Sequence, residues 1–277
     1  MPGTLYVVAT PIGNLADLTP RAREVLASVA LIAAEDTRHT RQLLQSCGIS
    51  TALTSLHEHN EAQKSVELVA RLAGGESIAL VSDAGTPLVS DPGFDLVAAA
   101  RRAEIAVVAI PGACAAIAAL SVAGLPSDRF VFEGFLPAKT AARSERLEQL
   151  AREQRTLIFY EAPHRLADVL RDMTRILGAE RNASISRELT KRFETTYSGT
   201  LAQLSEAAAL DSDMSRGELV IVVSGAPAAS TALELDSDAL LRALLQELSP
   251  SQAAKVAAHV TGGKRSDLYE AALRLSK

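Results

Sequence analysis

Tryptophan is absent from the 277 residues, and aromatic side chains make up 4% of them. An open trough for a flat aromatic macrocycle therefore has little to be built from. Cysteine is almost as scarce: Cys47 and Cys114 stand far apart, with no CxxC and no Cys/His cluster. That excludes a disulfide framework and a structural zinc module, and it suits a reducing cytoplasm. An excess of positive charge is missing too, since 28 Lys and Arg against 33 Asp and Glu leave a net charge of −5. No global field gathers a polyanion, so contact with nucleic acid must come from a local basic patch. The first residues carry no basic stretch followed by an apolar run, so no signal peptide is expected. The most membrane-like run, 106–124, is broken by Pro111-Gly112 and is mostly Ala. A strand, a turn and a buried helix explain it better than a bilayer span.

What is present is the composition of a globular protein, 48% hydrophobic and 22% charged. At roughly 150 residues per domain, the length suggests two domains. Apolar runs at 5–9, 29–33, 78–82 and 105–110 are hydrophobic on successive positions, as strands covered on both faces are. Amphipathic segments at 20–28, 37–47, 61–73 and 93–103 alternate with them. Thr19-Pro20 is a strong helix start, because the hydroxyl caps free N–H groups while proline fills the first turn. The first part thus reads as an open, mainly parallel α/β sheet. After Gly124-Leu125-Pro126 the rhythm changes, with strands predicted at 130–132, 156–160, 183–186 and 219–223 and a charged stretch at 139–155. Residues 225–231 read as a linker, followed by three short helices at 239–248, 251–260 and 266–275. The predicted organisation is an α/β domain over 1–124, a second α/β domain over 125–227, and a helical, helix-turn-helix-like appendage over 228–277.

In open α/β sheets ligands bind beyond the carboxyl ends of the strands, so the loops there carry the functional signal. The first is Thr10-Pro11-Ile12-Gly13-Asn14-Leu15, whose residue types also serve simple turn geometry. A second, Ser82 to Gly93, packs two Asp, and two Pro besides Gly85 and Gly93, into a stiff polar connection far longer than linkage needs. The third is Ile110-Pro111-Gly112-Ala113-Cys114-Ala115, small residues opening a helix. No GxGxxG follows the first strand and no GxxxxGK[ST] occurs, which disfavours a nicotinamide or ATP site. Small apolar loops suit a ligand with an adenine and a ribose but little phosphate charge. Cys114 has no nucleophile elbow or nearby histidine, and His57-Glu58-His59 lacks a third ligand, so neither covalent catalysis nor a metal is expected.

Together these segments resemble the tetrapyrrole methylase superfamily and, within it, its branch of small-subunit ribosomal RNA methyltransferases. The likeness is carried by Leu5 to Leu15, Asp17-Leu18-Thr19, Arg21-Ala22, Ala34-Glu35-Asp36-Thr37-Arg38, Ser82 to Gly93, Ile110-Pro111-Gly112 and Tyr160-Glu161-Ala162-Pro163-His164-Arg165. Arg187 to Lys191 and Gly217 to Val220 extend it. The resemblance implies a two-domain tetrapyrrole-methylase-like fold and a homodimer. It also implies S-adenosyl-L-methionine held folded between two α/β domains, and 2′-O-methylation of a cytidine in 16S rRNA. Carried over position by position, it places Thr10, Pro11, Asp83, Gly85, Thr86, Val89, Cys114, Ala115, Tyr160, Glu161 and Glu218 around the cofactor. Ala9 and Pro11 stand where the superfamily's first loop is usually glycine, which points to an acceptor other than a porphyrin or corrin.

Methyl transfer to a ribose hydroxyl needs in-line alignment and a proton acceptor. Asp36 is the expected base, with His57 or His59 as the next choice; Arg38 and Arg41 are expected to hold RNA phosphate. The competing account of Glu35-Asp36-Thr37 is a helix cap. Lys264 and Arg265, in a flexible basic turn, are a further RNA contact, whereas the 139–155 segment reads as a solvated face. Two other functions fit less well: methylation of a tetrapyrrole, and a non-catalytic ribosome assembly factor that binds RNA.

Overall fold

The computed structural model describes residues 1–227 and 237–276. Residues Met1–Gly225 form one compact unit and Ala226–Lys277 another. In the first unit, β1 (Thr4–Val8), β2 (Leu31–Ala34), β3 (Leu53–Ser55), β4 (Ile78–Val81) and β5 (Ala106–Ile110) build an all-parallel sheet in the order β3-β2-β4-β1-β5. The helices α1 (Pro20–Ser28), α2 (Thr37–Ser46), α3 (Glu61–Ala73), α4 (Phe94–Arg102) and α5 (Ala115–Val122) join or follow its strands. β2 and β4 are buried at every position, which is why their sequences are continuously apolar. Leu5, Leu68, Leu72, Leu80 and Leu96 fill one face of this sheet, and Val8, Leu26, Ile32 and Leu44 fill the other.

The second sheet of this unit is mixed. β6 (Phe130–Phe135), β7 (Thr156–Glu161), β8 (Asn182–Arg187), β9 (Thr195–Thr200) and β10 (Leu219–Val223) lie in the order β6-β7-β10-β8-β9. β6 runs parallel to β7, and the remaining pairs are antiparallel. α6 (Thr140–Leu150), α7 (Leu166–Leu177) and α8 (Leu201–Leu210) supply Leu147, Val169, Leu170, Met173 and Leu204 to the core beneath it.

Two strands escape the sequence pattern. β3 has only three residues, and β9, Thr-Thr-Tyr-Ser-Gly-Thr, is an edge strand whose polar positions mask its period. The long loop expected after a third strand therefore follows the fourth. The charged 139–155 segment is α6 and its C-terminal turn, and it is a largely solvated face as expected, apart from Arg143; three of its four arginines also make ion pairs. Arg143 is buried against Asp172 at 2.7 Å, Arg146 meets Glu133 at 2.6 Å, and Arg155 meets Glu153 at 2.7 Å.

The second unit contains α9 (Ser237–Leu244), α10 (Pro250–Thr261) and α11 (Arg265–Leu275), packed through Leu241, Ala253, Ala254, Ala257 and Leu268. Lys264 is the N-cap residue of α11 and Arg265 its first residue, both exposed. The linker expected at 225–231 falls in part on residues outside those described, as does Lys277.

Candidate functional site

β4, β1 and β5 are neighbours in the first sheet, so the three loops singled out in the sequence leave adjacent strand ends and can touch. Thr10 and Gly85 form an isolated antiparallel bridge, each N–H donating to the other's carbonyl at 2.9 and 3.1 Å. The Thr10 hydroxyl donates to the Ser82 carbonyl at 3.3 Å, and the Thr86 hydroxyl donates to the Ala113 carbonyl at 2.9 Å. Glu61, buried on α3, accepts from the Gly93 and Asp95 amides at 2.9 and 2.7 Å and fixes the far end of the long loop. Leu88 and Ser90 in that loop sit at φ 72° and 68°. Non-glycine residues adopt that region only when the surroundings impose it, and such positions cluster at binding sites.

Above these loops lies a cleft of about 450 Å³, walled on its other side by β6, β7 and β10 residues. Asp83, Gly85, Thr86, Val89, Ala115, Tyr160, Glu161 and Glu218 all line it, as the resemblance implies. Three others do not. Thr10 is buried beneath the wall, with its polar groups spent on the bridge. Pro11 faces a neighbouring cavity, and Cys114 lies one residue short of the wall, as N-cap residue of α5. Sequence reasoning missed Glu35, Asp91, Phe135, Leu189 and Val220. Glu35 and Asp91 were in view, but as parts of a cap and a turn.

The electrostatics of the cleft are one-sided. Its described lining holds Glu35, Asp83, Asp91, Glu161 and Glu218, and no Lys or Arg. Two of these are compensated, Glu161 by Arg165 at 3.1 Å and Glu218 by Lys191 at 2.9 Å. Burial raises the Glu35 carboxyl above its ordinary range, and the negative charges of Asp91 and Asp83 add to this. Burial likewise pushes Asp91 up to about 6, partly offset by a hydrogen bond from Ser82. The Glu161 carboxyl is also raised by burial, and its Oε2 is buried with no hydrogen-bond partner. Crowded, partly dry carboxylates of this kind are stabilised by a cation arriving among them. Tyr160 completes the wall: its ring meets Phe132 and Phe135 edge-on at 4.9 and 5.7 Å, and its hydroxyl accepts the Ala116 N–H at 3.2 Å. Burial holds that phenol firmly protonated.

The catalytic residues expected from the sequence fare differently. Asp36 caps α2, accepting from the Arg38 amide at 2.7 Å, and its carboxylate forms a two-pronged pair with the Arg38 side chain at 3.1 and 2.7 Å. Those bonds hold Asp36 far below the usual carboxylate range, which makes it a poor proton acceptor and ties Arg38 to it. The capping account of this segment is therefore correct for Asp36. His57 belongs to the turn before α3 and does not line the cleft; its Nδ1 is buried without a partner, and its ring meets that of His59 at 6.0 Å. Arg41 is exposed on α2. Among the described residues no group of three or more His, Cys, Asp or Glu could hold a metal, and no helix is long and apolar enough to cross a membrane.

The family model of the tetrapyrrole (corrin/porphyrin) methylases matches residues 4–205, which hold both sheets but for β10. A solved uroporphyrin-III C-methyltransferase from Thermus thermophilus, complexed with S-adenyl homocysteine, shares the fold. It has a TM-score of 0.53 and 16% identity over 79% of this chain and 96% of that one. A model of the RsmI C-terminal helix-turn-helix domain matches residues 231–276. Ribosomal RNA small subunit methyltransferase I of Pseudomonas aeruginosa is 55% identical over 98% of this chain and 97% of its own length. The Xylella fastidiosa protein of the same name is 58% identical over 97% and 98%. The chain belongs to the tetrapyrrole methylase family and, within it, to the family of ribosomal RNA small subunit methyltransferase I.

Proposed function

We propose that this methyltransferase moves a methyl group from S-adenosylmethionine to the ribose 2′-oxygen of a cytidine in 16S rRNA of the small ribosomal subunit. The observation that carries the cofactor is the cleft itself, nucleoside-sized, partly apolar and negatively charged beyond what Arg165 and Lys191 neutralise. When bound, S-adenosylmethionine supplies a methyl on a positively charged sulfur; transfer forms an O–CH3 bond, breaks the C–S bond with its electron pair left on sulfur, and releases the hydroxyl proton. Glu35, Asp83 and Asp91 line the cleft and would offset that positive charge, and the unpartnered Oε2 of Glu161 would be an acceptor for a ligand N–H or O–H. Gly85, Thr86, Val89 and Ala115 offer a flat, small-residue surface for the nucleoside. With Asp36 committed to Arg38, the proton has carboxylates of the cleft as acceptors; Asp91, titrating near 6, is matched to neutral pH.

The acceptor follows from the relatives' names and from basic side chains outside the cleft. Arg41 on α2 and Lys264 and Arg265 at the start of α11 would meet phosphate. The three-part organisation into 1–124, 125–227 and 228–277, a homodimeric assembly and a cytoplasmic location belong to the same reading. Incubating the purified chain with labelled S-adenosylmethionine and small ribosomal subunits should place label on RNA ribose. Label on a tetrapyrrole instead, or no cofactor binding by calorimetry, would overturn it.

A further inference from the structure

α2 directs His39, Gln42, Leu43 and Ser46 into a second, smaller cavity of about 290 Å³. Their i, i+3, i+4, i+7 spacing is one face of a helix. Pro11, Gly13 and Leu15, from the loop after β1, form the facing wall. Two observations join this cavity to the cleft. Asp83 lines both. The loop after β1 is the partition between them, with Ile12 on the cleft side and Pro11 and Gly13 on the other.

We infer that the smaller cavity receives one unpaired nucleotide of the RNA acceptor, its base among Pro11, Leu15 and Leu43, its edge on Gln42 and His39, and its ribose at Asp83. This deepens the proposed function and rests on it. The lining decides which part of a nucleotide enters. Apolar walls suit the faces of a base, and a carboxamide, which both donates and accepts, suits its hydrogen-bonding edge. A phosphate would meet the Asp83 carboxylate and, among the described lining, no Lys or Arg. The exposed Arg41 stands on the adjoining stripe of α2, where a flanking phosphate would run. The base must be unpaired, because a paired base inside an A-form helix cannot lie between protein walls. Asp36 contributes by positioning: its N–H donates to Asp83 Oδ1 at 2.9 Å and holds that carboxylate at the junction.

The test uses the full chain, its methyl transfer to small subunits, and calorimetric binding of S-adenosylmethionine. Ser46→Trp, at an exposed site in the last turn of α2, fills the cavity; Gln42→Ala removes the edge contact. Both variants should bind S-adenosylmethionine within about 2-fold of the unaltered chain, since neither residue lines the cleft. Ser46→Trp should cut kcat/KM for RNA on the order of 100-fold, and Gln42→Ala about 10-fold. Thermal melting reports whether tryptophan disturbs α2, and Gln42→Ala, a mild change on an exposed face, decides the matter if it does. Unaltered transfer by Gln42→Ala, or by a folded Ser46→Trp, overturns the inference while leaving the proposed function standing. Failure of the unaltered chain to bind cofactor or label RNA overturns both.

Discussion

Gly85→Ala tests how the cleft is held open. Gly85 has φ +91°, and a Cβ built there lies 3.3 Å from Ile12 Cγ2 and 3.7 Å from the Ala113 carbonyl oxygen. The backbone conformation alone costs an L-residue about 1–2 kcal/mol, and crowding a packed neighbour adds on the order of 1 kcal/mol. Gly48→Ala is the control: its φ is +70°, but nothing lies within 4 Å of the added carbon, so only the conformational cost of about 1 kcal/mol applies. For a unit of this size each kcal/mol moves the melting midpoint by about 2–4 °C, so Gly85→Ala should lower it by roughly 4–12 °C and Gly48→Ala by roughly 2–4 °C. The two should also part in ligand binding. Because Ile12 and Gly85 both line the cleft, Gly85→Ala should weaken S-adenosylmethionine measurably in calorimetry, and Gly48→Ala should not. Equal midpoint shifts together with equal affinities would refute the claim that the Thr10–Gly85 bridge shapes the binding surface.

Three further outcomes follow from the same geometry. Asp91 titrates at about 6 in the fold instead of near 3.8, so folding favours its protonated form and the cost of ionising it grows as pH rises between those values. Asp91→Asn should therefore stabilise the chain above pH 6 and change nothing below about pH 3.8, read from melting curves across that range. Arg143→Ala strips the guanidinium from a pair whose side chains are 6% and 10% exposed, leaving Asp172 with only the more exposed Arg175. It should cost about 3 kcal/mol in urea unfolding, and a loss below 1 kcal/mol would show the pair to be replaceable. Asp36→Ala should cost about 1 kcal/mol through the lost cap on α2, whereas Asp36→Asn, which caps equally well, should cost a few tenths. Equal losses in denaturation would assign the effect to the ion pair instead.

The parallel sheet was legible because buried strands are apolar at every position and the strand-end rule points to particular loops. Asp83, Gly85, Thr86 and Val89 could be placed in that way, whereas Tyr160, Glu161 and Glu218 came through resemblance alone, since the second sheet is mixed and no comparable rule marks its edge. β9 stayed hidden because an exposed edge strand can be polar on both faces; only Tyr197 reaches the core. The distinction between Asp36 and Asp91 was out of reach for another reason. Both are aspartates in turns, and only three-dimensional structure shows that one is clasped by an arginine while the other is pressed into a drying wall.

β10 lies between β7 and β8, pairing Leu219 with Glu161 and Val220 with Tyr160, so two rungs of the far wall join residues about sixty positions apart. The earlier sheet is complete once Ile110 has been made, and no later strand among the described residues belongs to it. A growing polypeptide can thus finish one half of its binding surface early, yet remains without the other until its final strand slots into the gap. A fragment ending before Leu219 would keep the strand-end turns and lose the β10 part of the far wall, exposing Phe159 and Ile158 to association with other unfinished copies.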